Sequence, residues 1–167
     1  MVDPAEADRI APQLAKLHAE AIDAGMALGA APGADAAALE RSHRAALAET
    51  GRVVVVAERY GEVVAMAHIV PSGAANAPHR AEVQRVAVAE AVRGSGVGRG
   101  LFTAVEDIAL DHGLTLLWLT THADSDACAF YEAVGYTKLG VMNDYSLRPD
   151  GALSPAAFYY KELRRSP

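Results

Sequence analysis

The chain has a single cysteine, Cys128, in 167 residues, so no disulfide can form within it. No apolar run approaches the roughly 18 to 20 residues of a membrane span. The N-terminus carries no basic stretch followed by an apolar one, so no secretory signal is expected. Lysine and arginine form no block, and the formal charge is -6, which argues against a nucleic-acid binder with a basic face. No Gly-Lys-Ser or Gly-Lys-Thr triplet occurs, which excludes a nucleotide-triphosphate loop. A dinucleotide fingerprint is missing too. Counted from Gly94 its last glycine would be Arg99, and counted from Gly96 it would be Leu101. No metal-ligand spacing, repeat, low-complexity tract or linker is found. These absences lead to the expectation of one cytoplasmic domain over residues 1–167, with no metal, membrane or nucleic-acid partner.

What is present is globular in composition, 51% hydrophobic and 22% charged. Asp3-Pro4-Ala5-Glu6 has the chemistry of a capped helix start, with Glu6 placed to complete a capping box. Ile10, Leu14, Leu17 and Ala21 follow at helical spacing, and Gly25 is a stop. Asp35 opens a second helix through Leu39 and Leu47, closed by Gly51. Val53 to Val56 and Val63 to Val70 read as a hairpin across Tyr60-Gly61-Glu62. Ala81 to Val88 is a third strand, with Glu82, Gln84, Val86 and Val88 on one face unless a bulge intervenes. A helix with Leu101, Val105 and Ile108 ends at Gly113. Leu114 to Thr121 reads as a strand buried on both faces. Asp124 or Ser125 then caps a helix whose inner side holds Ala127, Phe130, Tyr131 and Val134. Strands at 137–147 and 158–163 close the chain, with Pro149-Asp150-Gly151 as turn chemistry between them.

The chemistry concentrates between the third strand and the next helix, in Arg93-Gly94-Ser95-Gly96-Val97-Gly98. Glycines let a backbone approach a ligand closely. The N–H groups that open a helix are unpaired and sit at its positive end, which makes an anion site. Arg93 and Arg99 add charge inside an acidic protein, and a local cationic pocket suits a small anion. A diphosphate is the expected ligand.

The loop fits Arg/Gln-x-x-Gly-x-Gly/Ala, with Arg93, Gly96 and Gly98 as its fixed positions. About 30 residues further on comes Ala127-Cys128-Ala129-Phe130-Tyr131-Glu132-Ala133-Val134-Gly135-Tyr136. The two together resemble the signatures of the GNAT acetyltransferase superfamily, over residues 52 to 163. The stretches His79 to Gln84, Tyr145 to Pro155 and Tyr159-Tyr160-Lys161 resemble its tabtoxin-resistance subfamily. The resemblance implies an α/β fold: a mixed, mostly antiparallel sheet flanked by helices, with a splayed pair of parallel strands holding the cofactor. The family's usual first strand is not evident.

The same resemblance implies acetyl-CoA as cosubstrate and the residues that serve it. Gly94, Ser95, Gly96, Val97, Gly98 and Arg99, with Arg93, would hold the pyrophosphate. Val86 and Ala87 would line the pantetheine arm, and the backbone of Val88 would bond it. Asp124 stands where the family often has an asparagine on that arm, and as an anion it can cap the helix instead. Tyr131 would protonate the leaving sulfur and Glu82 would take the amine proton, directly or through water. His122 is the alternative base, with His68 and His79 as further candidates. Cys128 reads as packing. The implied reaction is acetyl transfer to a primary amine of a small molecule. A protein or peptide acceptor and a non-catalytic acetyl-CoA sensor are the alternatives, and a homodimer is the implied assembly.

Overall fold

A computed structural model describes residues 3–26 and 28–164. Its elements are α1 (Pro4–Asp23), α2 (Ala36–Ala48), β1 (Val53–Arg59), β2 (Glu62–Pro71), β3 (Arg80–Val88), α3 (Val97–Asp111), β4 (Leu116–His122), α4 (Ala127–Ala133), β5 (Thr137–Leu147) and β6 (Leu153–Glu162). The strands make one six-stranded sheet in the order β1-β2-β3-β4-β6-β5. Among the described residues only the β3–β4 pair is parallel. The first regular element among the described residues is α1.

Alternation along the strands feeds two cores. Ala65, Ala67 and Ile69 of β2 pack with Leu101, Phe102 and Val105 of α3 and with Leu117 and Leu119 of β4. Met66, one residue out of phase, packs on the other face with Ile10, Leu14 and Leu17 of α1. The sheet is therefore covered on both faces around β2, as the apolar stripes of α1 and α3 require.

Local chemistry sets the boundaries. Asp35 caps α2 by accepting from Ala38 N at 2.7 Å. Asp3 caps α1 through Ala5 N at 3.2 Å. The expected capping box is only half formed, because Glu6 pairs instead with Arg9 at 2.7 Å, a charge-assisted bond that competes with a backbone N–H. Tyr60 and Gly61 both take positive φ, 54° and 82°, as a tight two-residue hairpin turn needs.

Three sequence expectations shift. The strand expected at 114–121 spans Leu116–His122, because Leu114 N bonds Ala109 O at 2.9 Å and finishes α3 across Gly113. Only Leu117 and Leu119 are buried in it, so it alternates rather than being covered on both faces. The last strand starts at Leu153 rather than 158 and runs through Pro155. There β5 bulges between Met142 and Ser146, opposite Pro155. The ladder is interrupted where proline has no N–H to give.

Candidate active site

The parallel pair is short. Arg80, Ala81 and Glu82 pair with Leu116, Leu117 and Trp118. Beyond Glu82 the strands part, although β3 runs on to Val88 and β4 to His122. A bulge shapes the open side of β3. Met66 pairs with Ala87 but His68 with Gln84, so β3 has one residue more than β2 over this span. Arg85 takes φ 51° there, an uncommon setting for a side chain other than glycine.

The bulge inverts the alternation of β3, which corrects the expectation that Glu82, Gln84, Val86 and Val88 share a face. Ala81 and Val83 pack into the α3 core, so Glu82 and Gln84 face away from it. Beyond the bulge it is Val86 and Val88 that pack against the α3 core. Ala87 packs on α1. Ala89 N donates to Val64 O at 2.9 Å. Antiparallel alternation then turns the main chain of Ala87 to β2 and that of Val86 and Val88 into the gap beside β4. Ala87, expected along the pantetheine arm, packs on α1 and pairs with Met66 of β2.

The glycine loop closes the mouth of this gap. After a single 3-10 turn, Glu90–Val92, Gly94 and Gly96 take φ 75° and 89°. A Cβ on either would meet nothing within 4 Å. Glycine is required there by the left-handed backbone, which costs other residues about 1–2 kcal/mol. Gly96 ends the loop as the N-cap of α3 with no side-chain cap. The first helical bond runs from Gly100 N to Gly96 O at 3.0 Å. The N–H groups of Val97, Gly98 and Arg99 thus form the unpaired positive end. Ser95 Oγ donates back to Val92 O at 2.6 Å.

Gly98 has a different task. A Cβ there would stand 3.3 Å from the Phe130 ring and 3.7 Å from Val88 Cγ2. The missing side chain lets α3, the end of β3 and α4 converge. The two arginines are engaged elsewhere. Arg93 Nε donates to Val88 O at 3.1 Å. Arg99 Nη1 reaches Ala133 O at 3.4 Å, over the C-terminus of α4. Arg99 therefore gives the helix start its N–H, while its guanidinium faces another helix.

Tyr131 is 5% exposed. Its ring sits among Phe102, Phe130, Tyr136 and Tyr159 at centroid distances of 5.5–6.2 Å. Burial raises its hydroxyl pKa, so the phenol stays protonated at neutral pH. Glu82 is half-buried at the point where β3 and β4 part, and its Oε2 accepts from Gln84 Nε2 at 2.8 Å. Asp124 is exposed and does not cap α4. It takes both bonds of Arg148 Nη2, at 2.8 and 2.7 Å, and this partner lowers its pKa. The residue before α4 is Asp126, without a side-chain cap bond. His122 Nδ1 lies 2.9 Å from Ser154 Oγ, and burial, with Arg148 nearby, lowers its pKa. His79 is exposed. Cys128 is half-buried against the α3 core.

One polar cluster was not legible in the sequence. His18 of α1, His43 of α2 and His68 of β2 are all at most 1% exposed. Their rings are T-shaped at 5.3 and 5.5 Å. Arg85 stands beside them and donates from Nη2 to Ser42 Oγ at 2.7 Å. Burial, then Arg85, pushes His43 down to about 3 and His68 down to about 2. The residues lie far apart in sequence, and only the bulge turns Arg85 among them. Among the described residues, no group of His, Cys, Asp and Glu is arranged to hold a metal.

A mixed six-stranded sheet with a parallel pair that splays beside a bare helix N-terminus defines a mixed α/β class of protein. The chain belongs to the acetyltransferase (GNAT) family, whose profile matches residues 22–136. It is similar to the ribosomal-protein-alanine N-acetyltransferase of Brucella melitensis, with 25% identity, a TM-score of 0.77, and 92% of this chain and 94% of that one covered. Two structures under that identity share the fold. One, provisionally named a phosphinothricin N-acetyltransferase, has 21% identity, a TM-score of 0.77 and 95% of both chains covered. The other is an aminoglycoside 6'-N-acetyltransferase complexed with coenzyme A, at 18% identity, a TM-score of 0.70, and 99% and 94% covered.

Proposed function

We propose that this protein is an acetyl-CoA-dependent N-acetyltransferase acting on a primary amine of a small molecule. The observation that carries the reading is the parting of β3 and β4 at Glu82, in a gap that runs to the bare N-terminus of α3. The fit to a diphosphate is supported by the unpaired N–H groups of Val97, Gly98 and Arg99 and by the open space over Gly94 and Gly96. Arg93 and Ser95 border that site. Val86 and Val88 would meet the pantetheine amides with their main chains. The Val88 carbonyl keeps a second lone pair beside its bond from Arg93.

Acetyl-CoA supplies the acetyl group as a thioester. Glu82 takes the proton of the amine nitrogen as that nitrogen bonds the acetyl carbon and the carbon–sulfur bond breaks. The protonated Tyr131 hydroxyl supplies a proton to the departing sulfur. His122 is the alternative base. A second reading, transfer to the N-terminal amine of a protein, is favoured by the likeness to a ribosomal-protein-alanine N-acetyltransferase. A thiol-release assay with acetyl-CoA, run against small amines and against alanine-first peptides, separates the two. Release with small amines supports the first reading, and release with peptides alone supports the second. Binding of acetyl-CoA with neither would point to a sensor.

A homodimer forms part of the proposal. The edge strand β5 is exposed along nearly all its length, and Leu139, Val141, Met142, Tyr145, Leu147 and the adjoining Leu153 are 42–67% exposed. Exposed apolar side chains gathered along one edge strand mark an association site. Lys138 and Asp144 lie symmetrically about Val141. Two copies of this strand face each other antiparallel across a two-fold axis, with these opposite charges complementary.

A further inference from the structure

The bulge in β3 separates two faces with different surroundings. On one face Val86 and Val88 line the gap between β3 and β4. On the other, Glu82 and Gln84 meet side chains that no family signature covers. Gln84 Nε2 donates to Glu82 Oε2 at 2.8 Å. Arg52 Nη1 donates to Gln84 Oε1 at 3.3 Å. Arg52 Nε in turn donates to Glu49 Oε2 at 2.7 Å, and the Arg52 side chain is only 13% exposed.

We propose that Arg52 and Gln84 are positioning residues that hold Glu82 as a ready proton acceptor, through the relay Glu49–Arg52–Gln84–Glu82. This rests on the reading of Glu82 as the base. The direction of the relay follows from donor chemistry. A guanidinium only donates, so Gln84 turns its oxygen to Arg52 and its NH2 to Glu82. The bond pins one oxygen of Glu82. Among the described residues no group bonds the other, Oε1, which is left for the amine proton. The surrounding charges do not offer a rival partner. His68 stands opposite Gln84 on β2, and Arg85 follows it in the bulge with its Nη2 on Ser42. His43 and His18 lie behind them on α2 and α1. From β4 the residue opposite Glu82 is Trp118, which is uncharged.

The test compares the structure of the full chain with those of its Gln84→Leu and Arg52→Met variants. In Gln84→Leu the Glu82 carboxylate should leave its wild-type rotamer or spread over more than one. Arg52→Met should turn the Gln84 amide and release the carboxylate as well, and Arg52→Lys, which keeps a cationic donor, should restore it. A Glu82 carboxylate unmoved in both Gln84→Leu and Arg52→Met overturns the relay, whatever the enzyme does. Kinetics tests the base reading separately. Glu82→Gln should lower kcat about a hundredfold, and full activity in that variant would remove the base role. With the relay in place, Gln84→Leu lowers kcat about tenfold and leaves the KM for acetyl-CoA unchanged. An unchanged kcat in Gln84→Leu overturns the positioning role.

Discussion

Tyr131 shows what a single side chain contributes here. Its ring is one of a packed aromatic group, so the ring itself has a structural task. Only its hydroxyl is available for chemistry, and burial keeps that hydroxyl protonated. Tyr131→Phe removes the oxygen and leaves the packing. The expected result is a fall in kcat of about a hundredfold with acetyl-CoA binding retained, read by thiol release and calorimetry. An unchanged rate would assign the proton to another donor. At this scale the sequence was partly legible. The motif around Tyr131 and the fixed glycines stood out as residue types. The partners of Arg99 and Asp124 did not, because they come from distant segments, the Ala133 carbonyl and the Arg148 side chain, and Arg93 turns back onto the Val88 carbonyl of the preceding strand.

At the scale of elements, the loop and the helices it joins meet at Gly98. Gly98→Ala puts a methyl at 3.3 Å from Phe130. The contact must open by a few tenths of an ångström, which shifts the helix start against Phe130 and should weaken acetyl-CoA binding. Gly96→Val tests the loop itself. A β-branched residue at φ 89° forces the helix start to rearrange, and calorimetry should find acetyl-CoA binding lost. Retained binding would sink the loop as the diphosphate site. Element starts and stops were well announced by Asp35, Gly113 and the hairpin glycine, since these act locally. The β3 bulge and the passage of β6 through Pro155 were hidden, because each is set by the partner strand. The sequence pattern assumes an unbroken alternation, and Arg85 carries no mark of its positive φ.

The whole molecule carries a pH liability through α1, α2 and β2. His43 and His68 are held neutral, at about 3 and about 2 against an ordinary 6.5. A depressed folded-state pKa gives stability that is complete above the unfolded value and is lost as pH falls toward the folded one. Stability should therefore decline once the pH drops below about 6.5, by roughly 1.4 kcal/mol per pH unit for each histidine. Urea melts between about pH 7 and pH 5 would show this, in a range above most carboxylate titrations. His68→Leu should flatten the slope, and an equal slope in that variant would place the liability elsewhere. The edge of the sheet gives a second prediction at this scale. Light scattering should find a dimer, and Val141→Lys, which sets like charges against each other at the two-fold axis, should yield monomer. The family was legible from two short motifs and their order. The acceptor was not, since the side chains around Glu82 converge from β3 and from the turn between α2 and β1.

The central claim is that acetyl-CoA bound at the loop before α3 donates its acetyl group to an amine. The most direct measurement is mass spectrometry of the amine alongside free-thiol release, in the wild type and in Gly96→Val. The wild type should give one acetylated amine for each thiol released, and Gly96→Val neither product. Acetyl-CoA binding with no acetylated amine or peptide would contradict the claim.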